Sequence, residues 1–305
     1  MPSISDSLKL AETVLSPASS SPRADAELLL AHVLDRELSF LIAYPEHVLT
    51  EAQSQELHSL LERRAQGVPV AYLTGSAWFY GRRFIVNERV LIPRPETEHL
   101  VDEALAFLRE RSAKDGPHSR AVVVDVGTGS GAIACTVAAE LPHCIVYSTE
   151  RSSAALAVAR ANAKALGLYH PERVEGSAPC HAEPVAGGAV HLELADLLPS
   201  GAALRFDCVI ANLPYIPSVE VPTALAFEPR EALDGGPDGL REYRRLLKML
   251  PQRLNAGANV LLEAAPPTIR ALRELAEAAF DDARIAVRMD YAGMARVVTV
   301  DIACS

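Results

Sequence analysis

The chain has 305 residues, of which 49% are hydrophobic and 22% are charged. This composition is typical of a globular protein that buries real cores, and the length allows two domains at roughly 150 residues per domain. Because the net charge is −10 and no Lys/Arg-rich run occurs, the chain lacks the basic face that broad nucleic-acid contact needs, and we expect no direct nucleic-acid binding.

The N-terminal stretch, MPSISDSLKLAETVL, has no charged start followed by an apolar run, so it is not predicted to be a signal peptide. No segment approaches the ~18 apolar residues that a membrane span needs, and we expect no membrane partner. The cysteines are odd in number and scattered, as in a reduced cytoplasmic protein: Cys135, Cys144, Cys180, Cys208 and Cys304.

Residues 1–69 are predicted to form a small helical domain. An apolar stripe with helical spacing marks one helix: Ala24, Leu28, Ala31 and Leu34. Thr50 with Gln53 predicts a capping box at the start of another helix, which Gly67 and Pro69 end.

Residues 70–91 are predicted to form a β-hairpin that connects two domains. Aromatic and β-branched residues flank Gly75 and Gly81 here, which is the pattern of two strands joined by a turn. A helix is expected to start at Pro95, because proline suits the first helical position and acidic residues follow it in the first turn.

Residues 92–305 alternate short apolar strands with helices, which predicts an α/β domain with a mostly parallel seven-stranded sheet. The predicted strands are 121–126, 145–149, 191–194, 206–211, 259–263, 284–289 and 296–302. Only a short turn around Tyr291 and Gly293 joins the last two strands, so the last strand is expected to be antiparallel. Residues 176–188, rich in Ala, Pro and Gly, are expected to form a surface loop.

A glycine-rich turn follows the first of these strands at Gly127, Thr128, Gly129, Ser130 and Gly131. Glycines let backbone N–H groups approach a ligand, and the helix that follows favours negative charge at its N-terminus. Glu150 ends the next strand, where a carboxylate can accept hydrogen bonds from both ribose hydroxyls. Together they indicate an adenosine-containing cofactor, but NAD(P) and S-adenosylmethionine both fit, and a tight turn without ligand is the alternative.

The tetrapeptide Asn212, Leu213, Pro214 and Tyr215 follows the buried strand 206–211 and is expected to face the reactive end of the cofactor. The Asn212 side-chain carbonyl and the Leu213 backbone carbonyl can accept both hydrogens of a planar amino group. Pro214 stiffens the turn, and the Tyr215 ring offers a face for a planar amide. This pattern favours an N-methyltransferase over a dehydrogenase; a purely structural Asn-x-Pro turn is the alternative.

The sequence resembles the HemK/PrmC family of peptide chain release factor N5-glutamine methyltransferases over nearly its whole length. The resemblance is carried by the segments 72–75, 79–81, 90–98, 125–134, 212–215, 228–230 and 232–239. Of these, Ile92-Pro93-Arg94-Pro95-Glu96-Thr97-Glu98 is the most specific to this family. Arg94 and Glu96 could make an interdomain ion pair or contact substrate, and the sequence leaves both open.

The resemblance implies a Rossmann-like class I methyltransferase domain over residues 92–305. We expect residues 1–69 to dock the protein substrate, because a glutamine at a loop tip offers little binding area by itself. The resemblance also implies that residues 127–131 bind the methionine end of S-adenosylmethionine, that Glu150 binds its ribose, and that Asp196 and Leu197 lie near the adenine. Asn212 would contact both the cofactor and the glutamine amide. The product would be S-adenosylhomocysteine, and the partner a release factor with its Gly-Gly-Gln motif.

The sequence departs from the family pattern at several positions. Leu213 replaces a proline, Glu150 replaces the commoner aspartate, and Ala264 with Ala265 stands where Ile-Gly is usual. A ribosomal-protein glutamine methyltransferase and an adenine-N6 nucleic-acid methyltransferase are the alternative functions, and a binding module without activity is a third. Cys180, His181 and His191 match no common zinc spacing, so we expect no metal site.

Overall fold

The computed structural model describes residues 1–116, 120–169, 188–201 and 203–304. The chain divides into two compact units. The first unit comprises Met1–Ser76, Val86–Glu88 and Ala224–Phe227, and the second comprises Ala77–Ile85, Arg89–Thr223 and Glu228–Ser305.

The first unit is helical, with α1 (Ile4–Leu15), α2 (Pro22–Leu34), α3 (Leu38–Ala43), α4 (Glu51–Ala65) and α5 (Val70–Thr74). The predicted capping box is confirmed: the Gln53 N–H donates to Thr50 Oγ1 at 3.2 Å, and the Thr50 N–H donates to Gln53 Oε1 at 2.9 Å. The two hydrogen bonds satisfy amides that the first turn of α4 would otherwise leave unpaired.

The predicted apolar stripe of α2 is half wrong. Ala31 and Leu34 are buried, but Ala24 and Leu28 are exposed. The buried face contains Ala26, Leu29, Leu30 and Val33 as well. Because three consecutive leucines are followed by alanine, the spacing alone does not show which side of the helix is buried. Packing against the other helices of this unit determines the buried side.

The predicted hairpin occupies only part of residues 70–91. Its strands are β1 (Ser76–Phe79) and β2 (Arg82–Ile85), whereas Val70–Thr74 form the helix α5 rather than a strand. Pro69 precedes that helix with φ −59°, and Gly75, in a left-handed conformation with φ +68°, ends it. Buried Leu73 anchors this single helical turn, so tertiary packing overrides the local β propensity.

The second unit contains a seven-stranded sheet, which confirms the predicted fold class. Its strands are β3 (Val122–Val126), β4 (Ile145–Glu150), β5 (Ala189–Leu194), β6 (Phe206–Ala211), β7 (Leu254–Glu263), β8 (Arg284–Met289) and β9 (Ala295–Asp301). The spatial order is β5-β4-β3-β6-β7-β9-β8. All pairs from β5 to β7 are parallel, and β9 is antiparallel to both neighbours, as predicted.

Helices cover both faces of this sheet. They are α6 (Pro95–Asp115), α7 (Ala132–Glu140), α8 (Ser153–Ala165), α9 (Arg241–Met249) and α10 (Pro266–Ala279). One core takes its helical side chains from α6, α7 and α8, and the other from α9 and α10. Because the strand order changes direction beside β3, a crevice is expected beyond the carboxyl ends of β3, β4 and β6.

Some predicted features fall outside these elements. Within the described residues, no helix has both the length and the apolar character needed to cross a membrane. Cys135, Cys144 and Cys208 are buried free thiols, and Cys304 is an exposed one. Cys180, His181 and nearly all of the predicted 176–188 loop lie outside the described residues.

Candidate functional site

Three predicted site segments meet because of the strand register. Val126 at the end of β3 pairs with Thr149 in β4 on one side and with Ala211 in β6 on the other. The residues that follow these positions therefore lie at one edge of the sheet. This brings the glycine turn, Glu150 and the Asn212 tetrapeptide together, as the sequence predicted.

The glycine turn is fixed by hydrogen bonds to its neighbours. The N–H groups of Gly127 and Thr128 both donate to the Thr149 carbonyl at 2.9 Å. Gly127 has φ +75°, and a Cβ atom there would lie 2.9 Å from Leu213 Cδ2. Any other residue here would need a left-handed backbone and would displace the end of the Leu213 side chain, so the position favours glycine.

The turn is also held from beneath by Asp125. One oxygen of this carboxyl group accepts from the Thr128 hydroxyl at 2.6 Å and from the Ala134 N–H at 3.2 Å. Burial raises the pKa of Asp125 to about 7, despite the lowering effect of these two hydrogen bonds. Asp125 therefore links the strand, the turn and helix α7.

Glu150 links the glycine turn to helix α8. Its Oε2 accepts from the Gly129 N–H, and its Oε1 from the Ser152 N–H, both at 2.9 Å. The carboxylate is largely buried at the floor of the crevice. It is thereby oriented by backbone groups on both sides, and each oxygen keeps a lone pair for a further donor.

The Asn212 tetrapeptide is oriented by buried partners. Asn212 Nδ2 donates to Thr97 Oγ1 at 3.1 Å, which leaves the side-chain carbonyl free to face elsewhere. The Leu213 N–H donates to Tyr243 Oη at 3.1 Å. The single hydroxyl hydrogen of Tyr243 is shared between the Glu263 carbonyl and the more distant Leu213 carbonyl, at 3.4 Å from the latter.

A cleft of about 730 Å³, open to solvent, lies over these groups. Eight of the predicted site residues line it: Gly127, Gly129, Glu150, Asp196, Leu197, Asn212, Leu213 and Pro214. The rest of its wall comes mainly from residues 89–91, 149–155 and 229–232. Thr128, Ser130, Gly131 and Tyr215 are not among the residues that line it.

Asp196 and Leu197 follow strand β5 and also line the cleft. Arg245 forms an ion pair with the largely exposed Asp196, and the distance from Nη1 to Oδ1 is 3.2 Å. Leu197 has φ +73°, and its carbonyl accepts from the Thr149 hydroxyl at 2.5 Å. A left-handed leucine persists only where its surroundings hold it, so this segment has a fixed shape.

Arg94 has a partner within the second unit. It forms an ion pair with Glu228, whose other oxygen accepts from the Ile92 N–H at 3.1 Å. The Glu228 side chain is 2% exposed, whereas that of Arg94 is 32% exposed. This contact joins two of the segments that carry the family resemblance, and it is not the interdomain ion pair that the sequence left open.

No metal site is built from the described residues: no group of three or more His, Cys, Asp or Glu is arranged to hold an ion. His191 stacks on Tyr147, with ring centroids 5.0 Å apart. This ring contact gives His191 a structural role on the surface of the sheet.

Comparison with known proteins gives consistent matches. Residues 6–75 match the PrmC N-terminal domain family, and residues 111–189 match a precorrin methyltransferase domain family. The release factor glutamine methyltransferase of Bacillus cereus is 33% identical over 90% of this chain and 91% of its own length. That of Moorella thermoacetica is 37% identical over 90% of this chain and 89% of its own.

This chain belongs to the release factor glutamine methyltransferase family. A methyltransferase structure from Pyrococcus furiosus also matches, with 15% identity and a TM-score of 0.45 over 74% of this chain and 91% of that one. The predicted HemK/PrmC resemblance is confirmed, and so is the predicted Rossmann-like class I methyltransferase fold.

Three residues of this family member support the site without having been predicted as site residues. Thr97 and Tyr243 bind the tetrapeptide, and Asp125 holds the glycine turn. Thr97 and Asp125 lay inside segments that the sequence singled out, but nothing in the local pattern indicated which groups they contact. Tyr243 carried no local signal, since it lies on a helix thirty residues beyond Leu213.

Proposed function

We propose that this chain transfers a methyl group from S-adenosylmethionine to the N5 side-chain nitrogen of a glutamine, in the Gly-Gly-Gln motif of a peptide chain release factor. The observation that carries the proposal is the position of Asn212 and Leu213 beside Gly127, in a chain that belongs to this family. Two carbonyl oxygens at this point would accept both hydrogens of an amino group, as a planar carboxamide presents.

The cleft fits S-adenosylmethionine, which supplies an electrophilic methyl group and leaves as S-adenosylhomocysteine. Glu150, oriented by two backbone N–H groups, is assigned the ribose hydroxyls. Residues 127–131 are assigned the methionine end, with Gly129 open to the cleft and Thr128, Ser130 and Gly131 acting through the backbone. Asp196 and Leu197 are assigned the adenine end.

The tetrapeptide is assigned the glutamine. Asn212 Oδ1 and the Leu213 carbonyl accept the two amide hydrogens, and Pro214 stiffens the turn between the strand and the substrate. Tyr215 is assigned the packing face for the planar amide; burial raises its pKa to about 12, so it stays a neutral phenol. Asn212, at the cleft wall, also borders the cofactor.

The reaction joins the amide nitrogen to the methyl carbon while the bond from that carbon to sulfur breaks. The bonding electrons remain on sulfur, and the nitrogen loses one of its protons to solvent. An amide nitrogen is a poor nucleophile, so orientation supplies much of the rate, on the order of 7–11 kcal/mol for well-fixed reactants. The two acceptors also stabilise the positive charge that develops on nitrogen.

The docking of the substrate is assigned to residues 1–69, with 70–91 as the connector and 92–305 as the methyltransferase domain. A glutamine at a loop tip offers little binding area, so a second surface is needed for affinity. The net charge of −10 favours encounter with a basic partner. The proposed substrate places the enzyme in the cytoplasm, where translation terminates.

The proposal is tested by incubating the protein with methyl-labelled S-adenosylmethionine and a purified release factor, followed by mass mapping of the modified residue. We expect one methyl group on the glutamine of Gly-Gly-Gln, and none when that glutamine is replaced by asparagine. Label in a ribosomal protein or in DNA, with the release factor unlabelled, would contradict the proposed substrate.

A further inference from the structure

A buried carboxyl group lies behind the tetrapeptide and takes no part in the proposed methyl transfer. Glu263 ends strand β7 and is 1% exposed. Neither carboxyl oxygen has a hydrogen-bond partner of normal geometry among the described residues. A buried polar group without such a partner is costly, so its retention calls for an explanation.

The Thr97 hydroxyl connects Glu263 with the substrate-binding asparagine. It accepts the hydrogen bond from Asn212 Nδ2 at 3.1 Å. It also stabilises the charged form of Glu263, at a distance or angle outside a normal hydrogen bond. Thr97 is 4% exposed and lies in the first turn of α6, so water does not compete for either contact.

We propose that Thr97 and Glu263 are positioning residues, which hold the Asn212 side chain with its carbonyl oxygen, rather than its amino group, toward the cleft. This inference rests on the proposed function, because only an acceptor at that point can bind the amino group of a glutamine. The three residues come from three different elements, the start of α6, the end of β7 and the segment after β6.

The direction of the hydrogen bonds follows from what each group can donate. A carboxylate accepts only, so in the proposed arrangement the single hydrogen of the Thr97 hydroxyl is directed to Glu263. The lone pairs of that hydroxyl then face Asn212, and the atom next to them must be the amino nitrogen. A hydroxyl alone would bond equally well to either end of the amide, and an inverted Asn212 would repel the substrate's amino group.

The positioning of Asn212 depends on the charge of Glu263. Burial raises its pKa to about 7, while Thr97 and Arg296 lower it and Glu96 raises it. Arg296 is itself paired with Asp290 at 3.2 Å, and the phenols of Tyr215 and Tyr243 also lie near Glu263. At a pH above this pKa, the carboxylate accepts the hydrogen of the Thr97 hydroxyl and so fixes its direction. At a lower pH, the protonated acid can donate to Thr97, and the Thr97 hydroxyl is then free to turn.

The kinetic test compares Thr97→Val with Thr97→Ser. Valine keeps the shape but removes the hydroxyl, and we expect kcat for the release factor to fall about 10- to 100-fold, because a small misplacement of the reacting groups can cost about 10²-fold in rate. KM for S-adenosylmethionine should stay within about twofold, because cofactor contacts are unchanged. Serine should restore most of kcat. A Thr97→Val protein that folds and retains wild-type kcat would overturn the proposal.

A second readout does not need turnover. In ¹⁵N-labelled protein the Asn212 side-chain amide signals are assigned by their loss in Asn212→Ala and followed between pH 5 and 9. We expect them to shift with a midpoint near 7 in the wild type and to stay constant in Glu263→Gln. The matched control, Glu110→Gln, removes an exposed carboxylate paired with Lys114 and should leave the titration intact.

The two experiments separate the two proposals. A wild-type protein that fails to methylate any release factor contradicts the proposed function, yet the amide titration still decides the arrangement of Thr97 and Glu263. If the Asn212 signals show no pH response, or the same response in Glu263→Gln, the positioning role is wrong even in an active enzyme.

Discussion

The Tyr243 hydroxyl accepts a hydrogen bond from the Leu213 N–H at 3.1 Å and donates to the backbone carbonyl of Glu263. This one group ties the segment after β6 to the end of β7. The family pattern has proline at position 213, and proline has no backbone N–H that needs a hydrogen-bond partner. Leucine brings a buried N–H into the site, and Tyr243 supplies the acceptor that it requires.

Replacing Tyr243 by phenylalanine should destabilise the protein and loosen the tetrapeptide. The change leaves the buried Leu213 N–H unpaired, which costs about 1–3 kcal/mol in the free energy of unfolding. Urea unfolding of the wild type and Tyr243→Phe measures this. The control is Leu213→Pro, which removes the N–H. In that background the same replacement should cost less, and an equal cost would show that the Leu213 contact is not the cause.

Replacing Asn212 by alanine should abolish most turnover without preventing cofactor binding. The variant loses an acceptor aimed at the charge that develops on nitrogen, and comparable losses lower kcat about 10²- to 10³-fold. Calorimetric titration with S-adenosylhomocysteine should give a Kd close to that of the wild type. Turnover near the wild-type value would exclude the assigned role of Asn212.

Replacing Gly127 by alanine should disturb both the turn and the tetrapeptide. The left-handed backbone costs roughly 1–2 kcal/mol for any residue with a Cβ. The added methyl group would also lie 2.9 Å from Leu213 Cδ2, so the end of that buried side chain must shift, at a further cost in the free energy of unfolding. Thermal unfolding and cofactor titration measure the two consequences.

Gly293 provides the matched control for Gly127. It has nearly the same backbone angle, φ +76° against +75°, but a Cβ atom there meets nothing within 4 Å. Gly293→Ala should therefore lose only the stability that the left-handed backbone costs, and it should keep wild-type cofactor affinity. In Gly127→Ala, adding Leu213→Ala should relieve only the destabilisation that comes from the contact with Leu213. A Gly127→Ala variant no worse than Gly293→Ala would contradict the predicted contact.

The sequence predicted those parts of the molecule that depend on local pattern. The Thr50 capping box and the strands are set by residues a few positions apart, and each of the seven predicted strands overlaps a strand of the sheet, although β7 begins at Leu254 rather than at residue 259. The site's supporting contacts are not local: Asn212 meets Thr97 across 115 positions, and Arg94 meets Glu228 across 134. Residue types indicated what each group can do, but only the fold determines which groups meet.

Asp125 should make stability depend on pH in a direction opposite to most carboxylates. Its pKa in the folded protein is raised to about 7 by burial, well above the ordinary value of 3.8, so the folded state binds this proton more tightly than the unfolded state. The resulting stabilisation is fully present below about pH 4 and is lost as the pH rises through about 7. Asparagine keeps an acceptor for Thr128 and Ala134 but does not titrate.

Urea unfolding at several pH values between 5 and 8 therefore compares the wild type with Asp125→Asn. The wild type should lose stability relative to the variant as the pH rises, by up to about 1.4 kcal/mol per pH unit for one proton. Glu110→Gln is the control, because the hydrogen bond from Lys114 lowers the pKa of the exposed Glu110 below its ordinary value of 4.5, so this carboxylate stays ionised throughout the range and should add no slope. Parallel stability curves for the wild type and Asp125→Asn would show that Asp125 binds its proton no more tightly in the folded state.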